Sequence, residues 1–400
     1  MSRPLDGIRI LDFTSLLPGP YATMILADLG AEVVRLEAFD RPDLLRELKP
    51  QVDGVSVAHA QLNRGKKSLG INLKANGASD LIKNLIVKGG FNIVVEGFRP
   101  GVMRSFGLDY ETLSEIDSGL IYCSLTGYGQ TGPKARCAGH DINYLAESGI
   151  ASYSGRRATG PSPQGLQIAD TAGGSLHAVV AVLSAVIQRS KTGRGDFCDL
   201  SITDASLSLN ALFGASFLQF EHDPGLEDND LNGAGLYDYY RCADDRYLAF
   251  GGIEPKFIAA FLNTLGLSEE LERMQRQQLS QVEMKAVKAR VQAVILDRPL
   301  AHWIERFKPI DACVSPVATF TEISRSEQFN AREMFLQTKT QNGKPLRQIG
   351  SPFLFRSHDK PKPNPGGLLA AQSEEILQRY LELPIDAIAA LKESGVIVTS

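Results

Sequence analysis

Strand-like and helix-like patterns alternate from the first residues of this chain, and that alternation restricts the fold more than any other feature. Residues 8–13 read as a strand, 21–29 as a helix and 32–37 as a second strand, a βαβ unit whose crossover obliges the strands to run parallel. Strand patterns at 68–73, 92–97 and 120–125, interleaved with helical ones at 80–88 and 110–116, extend it into an α/β class fold, a Rossmann-like parallel-sheet large domain. The turn after the first strand is Leu16-Leu17-Pro18-Gly19-Pro20. Two prolines stand where a dinucleotide fingerprint places glycines, so Glu37 at the end of the second strand does not make a nicotinamide site.

Farther along, residues 174–188 read as a buried helix, closed by Lys191-Thr192-Gly193-Arg194-Gly195 with basic residues at its negative end. Residues 220–235, rich in Asp, Asn and Gly, read as a linker. Beyond it, 236–242 and 247–251 pair as an antiparallel hairpin through Ala243-Asp244-Asp245-Arg246, and 257–265, 282–296 and 300–307 read as helices. This predicts a smaller α+β domain. The Pro- and Gly-rich stretch 361–367 leads to a helical segment, 373–391, that is expected to return to the first domain. The expected boundaries are therefore 1–215 for the large domain, 230–325 for the small one and 326–400 for the return segment.

Composition excludes several function classes. A net charge of −4 over 400 residues argues against a broad nucleic-acid surface, so any anion site must be local. The five cysteines are scattered singly, and His59, His177, His222, His302 and His358 show no ligand spacing; no metal site is expected. No Gly-x-Ser-x-Gly elbow follows a strand, which sets a serine hydrolase aside. The N-terminus lacks the apolar core of a signal peptide and the longest apolar run, 178–186, is short, so a water-soluble cytoplasmic protein without a membrane partner is expected.

Three segments carry proton-handling groups: Gly139-His140-Asp141-Ile142-Asn143-Tyr144, Ile168-Ala169-Asp170-Thr171-Ala172-Gly173-Gly174 and Gly252-Ile253-Glu254-Pro255-Lys256-Phe257. An imidazole and a carboxylate suffice to take a proton from one face of a carbon and return one to the other. Each group also has an ordinary structural role. Asp170 would cap a helix, with small residues behind it leaving room for close approach to the backbone; Glu254 would end a strand. Asp141 and Asn143, flanking His140, are placed to fix its tautomer.

In this order the three segments resemble the α-methylacyl-CoA racemase branch of the class III (family III) CoA-transferase superfamily, and the resemblance runs through nearly the whole chain. It implies Asp170 as the catalytic carboxylate, a general acid and base in a racemase or a covalent nucleophile in a CoA-transferase. It further implies His140 as the group on the opposite face and Glu254 as a third catalytic residue. The Asn63-Arg64-Gly65-Lys66-Lys67-Ser68 and Phe98-Arg99-Pro100-Gly101-Val102 stretches match family motifs that line CoA. From these, and from positions near strand ends, Arg35, Lys66, Lys67 and Arg99 are expected to meet phosphate and Tyr144 to touch CoA. Coenzyme A would arrive as part of the acyl-CoA substrate, with no permanently bound cofactor. The family's fold implies an interlocked homodimer. One departure concerns the residues before Asp170: many racemases carry an Asn there, and this chain reads Gln167-Ile168-Ala169.

Overall fold

The structure is a computed structural model and describes residues 3–399. Two compact units emerge: the larger takes the chain up to residue 148, residues 165–209 and the segment from 327, and the smaller takes 149–164 and 210–326. One expectation is corrected here. Segment 149–164, assigned by sequence to the large domain, belongs to the smaller unit, where Arg156 pairs with Asp238 at 2.8 Å and with Glu227 at 3.1 Å. Ion pairs between residues so distant in the chain leave no local pattern.

The larger unit is built on a seven-stranded sheet: β1 (Arg9–Asp12), β2 (Glu32–Glu37), β3 (Lys66–Ile71), β4 (Ile93–Glu96), β5 (Ile121–Thr126), β6 (Phe197–Ser201) and β7 (Ile397–Val398). The spatial order is β6-β5-β4-β1-β2-β3-β7, all parallel except β7, which runs antiparallel to β3. The order turns back between β1 and β4, the switch point of a doubly wound sheet. Helices cover both faces, so the central strands need no polar side; Ile10, Leu11, Val34 and Val94 are fully buried.

Of the covering helices, α1 (Pro18–Asp28) starts on its prolines, and α2 (Ala78–Val87) turns Leu81, Ile82, Leu85 and Ile86 inward. Next come α3 (Asp141–Glu147), α4 (His177–Thr192) and α5 (Ile202–Ser208). The segment from 327 adds α6 (Ser373–Leu381), whose Ile376 and Leu377 share a core with Leu69, Leu85 and Ile397. By length and composition alone, the continuous helical stretch Ala169–Thr192, which contains an 18-residue window of mean hydropathy 1.5, could cross a membrane. The apolar run 178–186 falls short of it because Asp170, Ser175 and His177 interrupt the stretch on one side and Gln188 and Arg189 on the other. Within this unit it packs against α1, α5 and β5.

The smaller unit pairs strands Asp238–Arg241, Tyr247–Phe250 and Val314–Pro316 antiparallel and backs them with helices Pro255–Thr264, Ser268–Arg276, Gln281–Ile295 and Leu300–Phe307. Its core centres on Phe250 stacked on Phe261 at 3.8 Å. Trp303 closes it, with the indole N–H donating to the Ile295 carbonyl at 2.8 Å. The helix Ser268–Arg276 has no counterpart in the sequence reading, because Leu271 and Met274 are its only apolar side chains.

Candidate active site

At the switch point the chain leaves β1, β4 and β5 at their C-terminal ends, and a cleft of about 320 Å³ opens between the three loops. Its apolar lining comes from Leu16, Leu17, Pro18, Phe98, Leu125 and Ile202. The polar groups of Arg99, Tyr128, His140, Tyr144 and Asp170 also line the cleft. His140 and Asp170, 30 residues apart in sequence, thus open on one cavity.

His140 is the extended, exposed residue just before α3, and its backbone N–H donates to Asn143 Oδ1 at 3.1 Å. Asp141 Oδ1 accepts instead from the backbone N–H of Asp170 at 3.0 Å. The expectation that these flanking side chains fix the imidazole tautomer is corrected: both are engaged with backbone. Tyr144 buttresses the same turn. Its hydroxyl donates to the Gly139 carbonyl at 2.6 Å, its ring lies against Gly127 and Gly139, and burial first, then Asp170, push its phenol up to about 12.

Asp170 lies inside a π-helical turn, Ala169–Leu176, that runs directly into α4. The capping position is Ile168, so Asp170 is not the helix cap that its place in the sequence suggested. Burial and the neighbouring Asp141 raise its carboxyl to about 6, with His140 pulling the other way. The small residues behind it serve packing within the protein. A Cβ on Gly173 would stand 2.7 Å from Ser206 Oγ of α5, and one on Gly174 would stand 3.2 Å from Ile202 and 3.4 Å from Pro18. Ser175 fastens the turn by donating to the carbonyl of Pro18 at 2.7 Å. Glu254, in the smaller unit, is exposed just before helix Pro255–Thr264, and its side chain makes no capping hydrogen bond.

The expected phosphate ligands divide sharply. Arg35 is 2% exposed and forms a bridge at 3.0 Å to Glu37 and a second to Asp43. Lys66 Nζ is enclosed by Asp12 at 3.1 Å, the Pro20 carbonyl at 2.9 Å and Asn63 at 3.0 Å; burial lowers it to about 8. Lys67 pairs with Glu375 at 2.8 Å and stands 5.5 Å from the Tyr380 ring centre. None of the three lines the cleft, so the structure does not bring them to His140 and Asp170. Their charges are matched by carboxylates inside the larger unit.

Arg99 does line the cleft, and with Arg136 and Arg104 it also lines an adjoining hollow of about 410 Å³. Among the described residues neither Arg99 nor Arg136 has an ion-pair partner. Sequence reasoning passed over Arg136, whose only signal was its place four residues before His140. It also passed over Glu96, which accepts from the Phe98 N–H at 2.7 Å and so holds the loop bearing Arg99. Burial raises the Glu96 carboxyl to about 7.

The sequence pattern of CoA-transferase family III matches residues 5–367. The chain is 33% identical over 378 residues to an α-methylacyl-CoA racemase of Homo sapiens, covering 94% of this chain and 93% of that one. It is 28% identical over 398 residues to a succinyl-CoA:glutarate CoA-transferase of Mus musculus, covering 99% and 90%. Among solved structures, a CAIB/BAIF family protein from Brucella suis superposes with a TM-score of 0.84 at 26% identity, covering 95% of this chain and all of that one. The match spans both units, the switch-point cleft and the segments of His140, Asp170 and Glu254; the chain belongs to CoA-transferase family III.

Proposed function

We propose that this protein is a racemase or epimerase of α-methyl-branched acyl-CoA thioesters, working by proton transfer through an enolate. The observation that carries the reading is an imidazole and a carboxyl of raised pKa opening on one cleft. In one direction the Asp170 carboxylate takes the α-hydrogen and the C–H electron pair moves into the thioester carbonyl. Protonated His140 then gives a proton to the opposite face, leaving Asp170 protonated and His140 neutral. In the other direction the roles exchange, so the pair holds one proton throughout. A carboxyl at about 6 suits this exchange, because its affinity for a proton approaches that of an imidazole. Arg99 and Arg136 would bind CoA phosphates by charge-assisted bonds. Glu254 is assigned to the same chemistry by the resemblance of its segment, and a cytoplasmic homodimer completes the proposal.

A CoA-transferase is the rival reading, favoured by the succinyl-CoA:glutarate CoA-transferase relative that matches nearly the whole chain. There the Asp170 carboxylate would attack the thioester carbonyl, break the C–S bond with release of the CoA thiolate, and carry the acyl group as an anhydride.

Incubation with single enantiomers of a 2-methylacyl-CoA in deuterated water separates the two. A racemase incorporates α-deuterium and loses optical purity with acyl-CoA alone, and His140→Ala or Asp170→Asn lowers the rate by about 10²-fold or more. Wild-type protein that shows no exchange but moves CoA to a free carboxylic acid, with a hydroxylamine-trapped adduct at Asp170, is a transferase.

A further inference from the structure

The two acid–base segments are joined by a bond that the proton transfers do not use. Asp141, the first residue of α3, follows His140 directly, and its Oδ1 accepts from the Asp170 amide at 3.0 Å. One side chain therefore fastens the segment bearing the imidazole to the backbone of the carboxyl across from it. We propose that Asp141 is the positioning residue of this cleft, setting where Asp170 stands relative to His140. The inference rests on the proton-transfer reading and deepens it by naming a residue that acts through Asp170.

The geometry leaves Asp141 a second effect. Its negative charge sits beside a half-buried carboxyl and, with burial, raises that carboxyl to about 6. Among the described residues, Asp141 and His140 are the charged groups that act on Asp170. Other titratable groups lie on the elements packed around the turn. Helix α1 carries Tyr21 and Asp28, the latter bound by Arg64 at 2.6 Å. Helix α4 carries His177, whose ring is within 2.9 Å of the Ala172 carbonyl, and α5 carries Asp204. Arg99, Tyr128, Cys137 and Tyr144 line the same cleft.

Two substitutions separate bond from charge. Asp141→Asn keeps an oxygen to accept from the Asp170 amide and removes the charge; Asp141→Ala removes both. In the exchange assay, with the enantiomer whose α-hydrogen Asp170 removes, the wild-type kcat/KM should rise through a pH of about 6 as Asp170 of the free enzyme loses its proton. The acidic limb should move to lower pH in both variants. The plateau should stay within about threefold of wild type in Asp141→Asn and fall about 10-fold or more in Asp141→Ala, with KM little changed, as expected when only transition-state geometry is lost. An unmoved limb in both variants, or an alanine variant as active as the asparagine one, overturns the proposal.

Carboxyl carbon-13 spectra of Asp-labelled whole protein, with Asp170 assigned through Asp170→Asn, read the same titration without turnover. An unchanged Asp170 midpoint in Asp141→Asn overturns the proposal whether or not the protein exchanges α-hydrogens. A lowered midpoint in Asp141→Asn, together with an Asp170 amide resonance that moves in Asp141→Ala and stays in Asp141→Asn, supports the positioning role even in a protein that exchanges none, and sinks the racemase reading alone.

Discussion

A buried cation is held by the carboxylates around it, and deleting it leaves them charged in a dry interior. Lys66→Ala would strand Asp12, and Arg35→Ala would leave Asp43 without its cation while Glu37 keeps Arg46 at 2.6 Å, so each should lose about 3–5 kcal/mol in urea melts. Arg99→Ala and Arg136→Ala remove no partner and should stay within about 0.5 kcal/mol of wild type. Calorimetry should instead find CoA binding weakened severalfold in those two. The motif letters around Lys66 and Arg99 were equally legible in the sequence. Which cation faces inward was not, because that depends on Asp12 and Asp43, brought up by other parts of the chain. Glu96 adds a pH dependence. Its folded-state pKa of about 7 lies above the ordinary glutamate value of 4.5, so the folded protein binds the proton more tightly and stability falls as pH rises between those values. Glu96→Gln removes that fall. Its melting temperature should exceed that of wild type at pH 8, and the difference should shrink toward pH 4; an equal difference at both pH values refutes the assignment.

At the scale of elements, sequence pattern was most faithful where burial is continuous. The runs in β2, β4 and β5 were read to within a residue or two, because a parallel strand covered on both faces has no polar alternation to confuse it. Elements held by distant partners were not legible: β7 is two residues long and exists through its pairing with β3. The π-helical turn is a further case. Its glycines suggested an opening for a ligand, whereas α5 and Pro18 occupy that space. Gly173→Ala should therefore push the turn off α5, costing about 1–3 kcal/mol. Because Asp170 rides on the same turn, α-hydrogen exchange should fall as well. Gly174→Ala meets its neighbours at 3.2 Å and beyond and should be milder on both counts. Equal melts for the two alanine variants would show that Ser206 can yield.

For the whole molecule, exposed apolar surface in each unit argues for a second copy of the chain. In the larger unit α4 leaves Val180 61% and Ile187 57% exposed, on a helix whose composition would suit a protein interior. In the smaller unit Leu218 is 83% and Phe220 75% exposed on helix Phe213–Phe220. Surfaces of this kind are costly in water unless a partner covers them. Sedimentation should then report twice the 43.5 kDa chain mass, and Val180→Lys or Leu218→Lys should lower the association. The family resemblance goes further and implies that Glu254 serves the site of the other chain. If so, His140→Ala and Glu254→Gln chains are each inactive alone, yet a mixed dimer gathers both lesions into one site and leaves the other whole. Random refolding of equal amounts makes half the dimers mixed, with one intact site in two. Activity should therefore return to about a quarter of the wild-type value. No recovery in a sample proven to contain mixed dimers would place Glu254 in the site of its own chain, whereas a Glu254→Gln homodimer with wild-type activity would place it outside the chemistry altogether.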